Sequence, residues 1–315
     1  MQDTLLQLNE LSAVLEELGH GVGHVYFGDC CSGGCPESIA KADLVFNLVE
    51  DIDGRDELIH IATSWLDAVG VPYTGNRTHV FRLVEDKRQA KKILEEHRLP
   101  TPLWFDHDSI FGQHFEEKGV YIVKSSSLHG SVGIDDSSIV SGVEAAVEKM
   151  MAMKFRFGGD WFAESYVDGR EINVSMLEID GIVHVLPIAE ILFENYHTDK
   201  PKIVGYAAKW EEESEEYNQT PRSFTFSAED RTALDEISQL ARRCWDVFGL
   251  HSYARVDFRM DHQGKPWVID VNPNPCLMSE GGFMVATRQY GLSSQQVMEA
   301  IGSTAMRAST WTPLS

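Results

Sequence analysis

The chain has 315 residues, 43% of them hydrophobic, so it is long enough for a sizeable core and two or three domains. Its 49 acidic residues outnumber its 27 basic ones and give a formal net charge of -22 at pH 7. This negative charge repels phosphate backbones and anionic lipids, so neither nucleic acid nor membrane is an expected partner. No apolar run reaches the length of a spanning helix, and the first residues lack the basic flank of a signal peptide.

Cysteine usage favours a reduced, cytoplasmic protein. An odd number of cysteines, two of them adjacent, is not typical of a disulfide framework. A zinc site at Cys30, Cys31 and Cys35 is the alternative, but no matching ligand cluster follows at zinc-finger spacing. We therefore interpret this segment as a Gly/Ser/Cys loop. The five cysteines are Cys30, Cys31, Cys35, Cys244 and Cys276.

The first 75 residues predict a doubly wound α/β domain. Apolar residues recur at helical spacing over residues 5–18, and Gly19 is a plausible end for that helix. Strands are predicted at residues 22–27 and in the apolar run 43–49, followed by a helix over 56–68. The domain opens on a helix, where such domains usually open on a strand.

The rest of the chain predicts a central domain over residues 76–165 and a C-terminal domain over 166–315. A polar helix over 78–97 ends before Pro100 and Pro102, and strands follow at 121–124, 161–167, 171–178 and 182–188. The charged segment 196–222 is predicted to be a mobile loop. Ser227 is predicted to cap a helix that reaches residue 248. The last elements are strands at 253–260 and 266–271, joined by a turn at 261–264, and a helix over 293–301.

The standard nucleotide-binding signatures are absent, because the chain contains no Walker A motif, no G-x-G-x-x-G after a strand and no G-x-S-x-G elbow. A different phosphate cradle is indicated at Lys124, which ends an apolar strand and is followed by a Ser/Gly loop (residues 125–133). A lysine can reach a phosphate as a point charge, and backbone N–H groups of such a loop can approach phosphate oxygens closely. The alternative is a solvated hairpin with an exposed lysine.

A second candidate site lies on two neighbouring predicted strands. Because side chains alternate between the faces of a strand, Arg255 and Asp257 share one face, and so do Asp270 and Asn272. If the strands pair, Asp257, Asp270 and Asn272 converge, and oxygen ligands without Cys or His suit Mg²⁺. Arg255 is then placed to neutralise charge on a transferred phosphoryl group. A lone acid of this kind would be a turn residue, whereas two inside apolar strands favour a functional site.

A third candidate is a pair of glutamates around a predicted strand end. Glu164 precedes a loop, where a carboxylate can bind a ribose hydroxyl or an adenine amine, and Glu171 opens the next strand. Simple surface solvation remains an alternative for either glutamate.

Together these segments resemble the ATP-grasp superfamily and, within it, the D-alanine–D-alanine ligase family. The resemblance covers residues 43–301, and the order and spacing of its segments are specific. The matching segments are residues 43–48, 72–75, 86–87, 123–124 with 130–133, 164–171, 186–191, 255–257 and 270–275.

The resemblance implies an α/β (α+β) ATP-grasp fold, with ATP gripped between the central and C-terminal domains. It implies that residues 196–222 form a mobile lid, which keeps water off an acyl phosphate. The adenine hinge is expected at residues 164–167, Mg²⁺ (or Mn²⁺) as the metal, and a homodimer as the family's oligomer. The implied ATP contacts are Lys87, Lys124, Ser131, Glu164, Ser165, Tyr166, Val167, Glu171 and Lys209, the metal ligands are Asp257, Asp270 and Asn272, and the catalytic residues are Arg255 and Lys124.

The departures from the family pattern fall mainly on the amino-acid half of the site. The opening strand, with its glycine-rich loop and a glutamate that holds the donor's ammonium, has no counterpart. Asp270 replaces a glutamate, Trp210 a tyrosine of the lid, and Gly130 a serine that helps to lock that lid. Cys276 and Gly281 replace a glycine and a serine that binds the acceptor's carboxylate.

We therefore expect a carboxylate–amine ligase that acts on an amino acid or small peptide through an acyl phosphate. The altered substrate half indicates an acceptor that is larger than D-alanine or less dependent on a free carboxylate. A true D-alanine–D-alanine ligase of peptidoglycan synthesis remains an alternative. An alternative of another class is an ATP-binding regulatory module without ligase activity, which the missing first strand favours and the intact charged residues disfavour.

Overall fold

A computed structural model describes residues 2–28, 37–52, 54–55, 58–110 and 115–309. The cysteine loop at residues 30–35 lies outside these ranges, while Cys244 is a buried free thiol and the Cys276 sulfur accepts a hydrogen bond from the Met278 N–H at 3.5 Å. Within the described ranges, no helix is long and apolar enough to span a bilayer. The helices are α1 (Gln2–Glu17), α2 (Glu37–Ala40), α3 (Ile59–Val69), α4 (Thr78–Val84), α5 (Lys87–Glu96), α6 (Val143–Phe157), α7 (Tyr206–Trp210), α8 (Glu215–Asn218), α9 (Arg231–Phe248), α10 (Gly282–Tyr290) and α11 (Ser294–Ser309).

Two antiparallel sheets organise the molecule. The first has the strand order β1-β4-β2-β3, and the second has the order β10-β9-β5-β7-β8, with β6 paired to β5. The strands are β1 (Trp104–Phe105), β2 (Val120–Ser125), β3 (Ile139–Ser141), β4 (Trp161–Ser165), β5 (Gly169–Ile179), β6 (Ile182–Val185), β7 (Ala189–Ile191), β8 (Arg222–Ser223), β9 (Tyr253–Asp261) and β10 (Pro266–Asn272).

Helices cover one face of each sheet because both carry an apolar stripe. Helix α6 buries Ala146, Met150 and Met153 against the first sheet, at the i, i+4 and i+7 spacing of one helical face. Helix α9 packs in the same way on the second sheet, together with α4 and α5. Helices α1, α10 and α11 form a separate apolar cluster that includes Leu177 of β5 and Tyr253 of β9.

The N-terminal segment differs from the predicted doubly wound sheet. Residues 22–27 form no strand, and residues 43–49 contribute a single parallel bridge between Val45 and Tyr73. A strand is stable only where a neighbour pairs with its backbone, and here Asn47 donates its N–H to the Thr74 hydroxyl instead. The strand predictions for this segment are wrong in the described residues, whereas the two helices predicted around them are present as α1 and α3.

The single helix predicted over residues 78–97 is two helices. Asp86 is extended, with φ -96° and ψ 109°, and its side chain accepts a hydrogen bond from the Arg88 N–H. Asp86 therefore ends the first helical run and caps the second, as aspartate often does at helix starts. The break gives α5 its own direction and places the start of α5 beside the Ser/Gly loop.

The predicted β-hairpin near the C-terminus is confirmed. Strands β9 and β10 pair with Asp257 opposite Asp270 and Asn272 opposite Arg255, and the register shifts between Val268 and Asp270. The final helical region is longer than predicted, because α10 precedes α11 and ends at Gly291, which has a left-handed φ of 98°.

Candidate active site

A cavity between the two sheets collects nearly all the predicted site residues. It encloses about 120 Å³, below the roughly 300–1,000 Å³ usual for small-molecule sites. Arg255 and Asn272 are absent from its lining, although each lies in the β9–β10 register beside residues that line it. The predicted residues that line the cavity are Lys87, Lys124, Ser131, Glu164, Ser165, Tyr166, Val167, Glu171, Lys209, Asp257 and Asp270.

Glu164 lies one residue before the end of β4, as predicted, and its carboxylate holds two lysines, while its predicted contact with a ribose or adenine group stays a prediction. The residue is 1% exposed. One carboxylate oxygen is 2.5 Å from the Lys124 ammonium, and the other pairs with Lys91. Burial alone would raise the pKa of Glu164, but Lys124 and Lys91 together lower it. The glutamate therefore stays ionised and fixes Lys124 in the cavity wall.

Lys91 is a functional candidate that the sequence analysis missed. It is 3% exposed, and its ammonium also donates to the Thr101 hydroxyl at 2.9 Å. Its position four residues after Lys87 places both lysines on one face of α5. That spacing was the available signal, although a lysine in a polar helix usually indicates a solvated face.

The Ser/Gly loop is tied down by side chains around it. The Lys87 ammonium donates to the Leu128 carbonyl at 2.8 Å, and the Lys87 N–H donates to the Ser126 carbonyl at 2.8 Å. Ser131 has a left-handed φ of 61°. Lys87 and Lys124 thus lie on two sides of one loop, which is the arrangement expected of an anion cradle.

The predicted metal ligands come together on the hairpin. Asp257 and Asp270 are register partners on β9 and β10, and both line the cavity. Asp257 receives two hydrogen bonds from Arg255, at 2.7 and 2.9 Å, and one from the Asn173 amide at 2.9 Å. The Asp270 carboxylate has no hydrogen bond or ion pair among the described residues.

The chemistry of this donor set fits Mg²⁺ better than a soft metal. Two carboxylates and the Asn272 amide supply only hard oxygen ligands. In the described part of the chain, no cluster of three or more His, Cys, Asp or Glu is placed to hold a metal. An incomplete oxygen set of this kind is usual for Mg²⁺ that also binds substrate phosphates and waters.

Arg259, which the sequence analysis also missed, organises the predicted adenine hinge. It is 5% exposed, and its guanidinium donates to the carbonyls of Val167 (3.0 Å), Gly169 (2.9 Å) and Lys202 (2.8 Å). It also lies 3.3 Å from the Glu171 carboxylate. One buried cation therefore connects the hinge to the predicted lid segment, residues 196–222.

Two backbone hydrogen bonds fix the predicted hinge, and Arg259 acts on the neighbouring acid, Glu171. The Ser165 N–H donates to Leu103 and the Tyr166 N–H to Val120, so the hinge backbone continues the first sheet. Burial raises the pKa of Glu171, and the positive charge of Arg259 opposes that rise. Glu171 is therefore a partly buried acid at the cavity wall, and its predicted contact with a ribose hydroxyl stays a prediction.

The lid, residues 196–222, is packed rather than loose, in contrast to the prediction of an unpacked loop. It contains α7 and α8, and Ser214 caps α8 by accepting the Tyr217 N–H. The Ser131 hydroxyl donates to the Val204 carbonyl at 2.8 Å, and the Tyr206 N–H donates to the Ile134 carbonyl at 2.9 Å. The predicted lid segment is thus packed on the Ser/Gly loop and the residue that follows it.

Trp210 and Gly130, two departures from the family pattern, form one contact. The Trp210 indole N–H donates to the Gly130 carbonyl at 2.7 Å. A Cβ at residue 130 would lie 3.1 Å from the Trp210 ring. The glycine therefore makes room for the indole ring, and the two departures lie in one contact.

We expect Gly130→Ser to open the lid. The new Cβ meets the Trp210 ring, and φ at this position is +64°, which costs a non-glycine residue about 1–2 kcal/mol. Limited proteolysis should show cleavage within residues 196–222 several-fold faster than in the wild type. The double variant Gly130→Ser/Trp210→Tyr should recover slow cleavage.

Gly181→Ser is the matched control for this experiment. Gly181 lies on the β5–β6 turn and also has a positive φ, of +81°, but a Cβ at this residue would have nothing within 4 Å of it. Equal acceleration of lid cleavage by both substitutions would show that the Trp210 contact is irrelevant.

Comparison with solved structures places the architecture in the ATP-grasp class. The D-alanine–D-alanine ligase of Bacillus anthracis matches with a TM-score of 0.74 and 20% identity, over 98% of this chain and 94% of that one. The same enzyme complexed with ATP matches with a TM-score of 0.74 and 21% identity, over the same shares of the two chains.

Sequence comparison then identifies the family. The family described as D-ala D-ala ligase C-terminus matches residues 102–302. An uncharacterised Sinorhizobium fredii protein, y4sG, is 30% identical over 86% of this chain and 77% of its own. The D-alanine–D-alanine ligase of Bordetella pertussis is 26% identical over 75% of this chain and 71% of its own. The chain belongs to the D-alanine–D-alanine ligase family.

Proposed function

We propose that this family member is an ATP-dependent carboxylate–amine ligase that forms an amide or peptide bond through an acyl phosphate. The observation that carries the proposal is one cavity, at the junction of both sheets, whose lining includes three lysines and the two aspartates of the β9–β10 hairpin. Fixed cations beside hard oxygen ligands suit phosphoryl transfer, where catalysis is mostly positioning and charge stabilisation. The five residues are Lys87, Lys124, Lys209, Asp257 and Asp270.

The lysines act on the ATP phosphates in this account. Lys124 is held in place by Glu164, and Lys87 by the Leu128 carbonyl. A lysine ammonium carries three N–H donors, so it can hold such a partner and still donate to phosphate oxygens. Lys209 approaches from the lid, so closure brings a third cation to the cavity.

Asp257, Asp270 and Asn272 would hold Mg²⁺ at the phosphate end of the cavity. The metal, when bound, neutralises phosphate charge and orients the phosphates for transfer. Arg255, which is bonded to Asp257, lies at the same end and stabilises the charge on the transferred phosphoryl group and the tetrahedral intermediate. The nucleoside end is formed by Glu171 for the ribose and by the hinge, residues 164–167, for adenine.

The closed lid excludes water from the reaction. An acyl phosphate hydrolyses readily, so a ligase must hold it away from solvent until the amine attacks. The contacts of Ser131 and Gly130 with the lid provide this seal. An open form is needed for ATP to enter, which fits the small volume of the cavity in the closed form.

The class of substrate follows from the relatives, which are named as D-alanine–D-alanine ligases. The Bordetella pertussis relative is 26% identical to this chain, and several residues on the substrate side of the site differ from the family pattern. Its amino-acid substrates are therefore not assigned to this chain. We therefore propose an amino acid or small peptide as substrate.

ADP release across a panel of D- and L-amino acids and dipeptides tests the proposal. We expect release that depends on an added amino acid, on ATP and on Mg²⁺, with mass spectrometry showing a new amide product. D-alanine alone should give weak release of low affinity, because the family's contacts to a pair of D-alanines are altered. Efficient formation of D-alanyl-D-alanine would favour a true D-alanine–D-alanine ligase, and Mg-ATP binding without any release would favour a regulatory module.

A further inference from the structure

Arg222 lies at the end of the lid beside the segment where the family's acceptor-binding serine is missing. It belongs to β8 and pairs with Ile191 of β7. Its guanidinium lies over the start of α10, where its Nη2, Cζ and Nε atoms would be 3.1, 3.4 and 3.5 Å from a Cβ on Gly282. Gly282 has no side chain, so the guanidinium lies within contact distance of the place that a Cβ of residue 282 would occupy, one residue after Gly281.

The Arg222 guanidinium has no hydrogen bond or ion pair among the described residues. Arg222 is an exposed residue, and partial loss of solvent around its guanidinium, followed by the positive charge of Arg255, lowers its pKa. Glu280, the carboxylate whose negative charge acts on it, is engaged with Arg288 at 3.3 Å. Of these two neighbouring arginines, Arg255 is the one with an acidic partner in the described part of the chain.

An arginine without an acidic partner among the described residues is unusual in a chain of net charge -22. Two like charges repel one another unless an anion lies between them or beside them. A guanidinium also presents paired N–H donors that match a carboxylate. A guanidinium that has no partner among the described residues and lies within electrostatic range of the proposed catalytic arginine therefore has the chemistry of a carboxylate subsite.

We infer that Arg222 binds the carboxylate of the acceptor amino acid or peptide. It does so in place of the family's serine, whose position Gly281 occupies in this chain. The inference rests on the proposed ligase function and assigns a specificity residue that the sequence alone did not indicate. It also decides between the two expectations for the acceptor. The acceptor keeps its free carboxylate, and the Arg222 guanidinium at the end of the lid binds that carboxylate in the role of the family's serine hydroxyl. Because Arg222 ends the lid, acceptor binding and lid closure occur at adjacent residues.

Each amino acid that supports ADP release is tested beside its C-terminal amide. The wild type should use the acid with a lower KM than the amide. Arg222→Gln should raise the KM of the acid about 10- to 100-fold, the effect of losing a charged hydrogen bond, and leave the KM of the amide and of ATP unchanged. Arg222→Lys should recover part of the loss because it keeps the charge.

Arg82→Gln is the matched control, since Arg82 is an exposed arginine of α4 with no pairing among the described residues. It should leave every KM at the wild-type value. Equal use of acid and amide by the wild type, or an Arg222→Gln effect on the KM of ATP instead of the acceptor, would overturn the inference.

Calorimetry on the protein loaded with Mg-ADP distinguishes failure of the Arg222 carboxylate inference from failure of the ligase proposal. Amino acids are titrated into the wild type and into Arg222→Gln. Binding that the substitution abolishes supports the carboxylate subsite even without ADP release, whereas equal binding, or no binding to the wild type, contradicts it.

Discussion

Replacing Glu164 by glutamine is expected to lower the free energy of unfolding by about 3–5 kcal/mol, the cost of removing one partner from a buried ion pair. Glu164 and Lys91 are 1% and 3% exposed, and the carboxylate also holds Lys124. Glutamine keeps the shape but leaves two ammonium groups without their counter-charge in a low-dielectric environment. Urea denaturation measures the change through the midpoint at constant m-value.

Two comparisons make this result specific to the buried cluster. Glu37→Gln removes an exposed pair with Lys41 and should cost about 0.5 kcal/mol or less. Adding Lys91→Met to Glu164→Gln should recover part of the loss, because one of the unpaired charges is gone. Similar costs for Glu164→Gln and Glu37→Gln would mean that the cluster is not buried as described.

Asp270→Asn is expected to reduce the rate of ADP release by roughly 10²–10³-fold, the usual effect of removing one group that stabilises transition-state charge. The asparagine keeps the size of the ligand and loses its negative charge, so Mg²⁺ binds weakly. The fold should be unaffected, since the Asp270 carboxylate bonds to nothing else among the described residues. Thermal stabilisation by ATP should need Mg²⁺ in the wild type and vanish in the variant.

Asp180→Asn is the control for this substitution, because Asp180 lies on a turn, 87% exposed in its side chain, and pairs only with Arg307 among the described residues. It should retain wild-type ADP release. Full activity of Asp270→Asn would show that the metal site lies elsewhere.

The C-terminal hairpin could be predicted from sequence because its signals are local. Alternation along residues 253–260 and 266–271 defined the faces, and the turn between them defined the pairing. These two facts sufficed to bring Asp257 opposite Asp270. The predicted strands of the N-terminal segment failed because apolar runs reveal burial and not the presence of a pairing neighbour.

Contacts between distant segments could not be predicted in this way. Lys91 and Arg259 look like solvated or strand-edge cations in sequence, and only the fold brings Glu164 and the hinge carbonyls to them. In the sequence, Trp210 and Gly130 look like two separate losses from the family pattern because they are 80 positions apart. In the structure they form one contact, in which the glycine makes room for the tryptophan. Arg222 carried no motif at all, and its proximity to Gly282 exists only in three dimensions.

Oxygen transfer from the donor carboxylate to phosphate tests the central claim most directly. An amino acid that supports ADP release is labelled with ¹⁸O in both carboxylate oxygens and incubated with the enzyme, ATP and Mg²⁺, and the released phosphate is analysed by mass spectrometry. A ligase that acts through an acyl phosphate transfers one labelled oxygen to each phosphate, because the amine displaces phosphate together with the former carboxylate oxygen. Unlabelled phosphate released with ADP would mean that water attacks ATP directly, which would contradict the account.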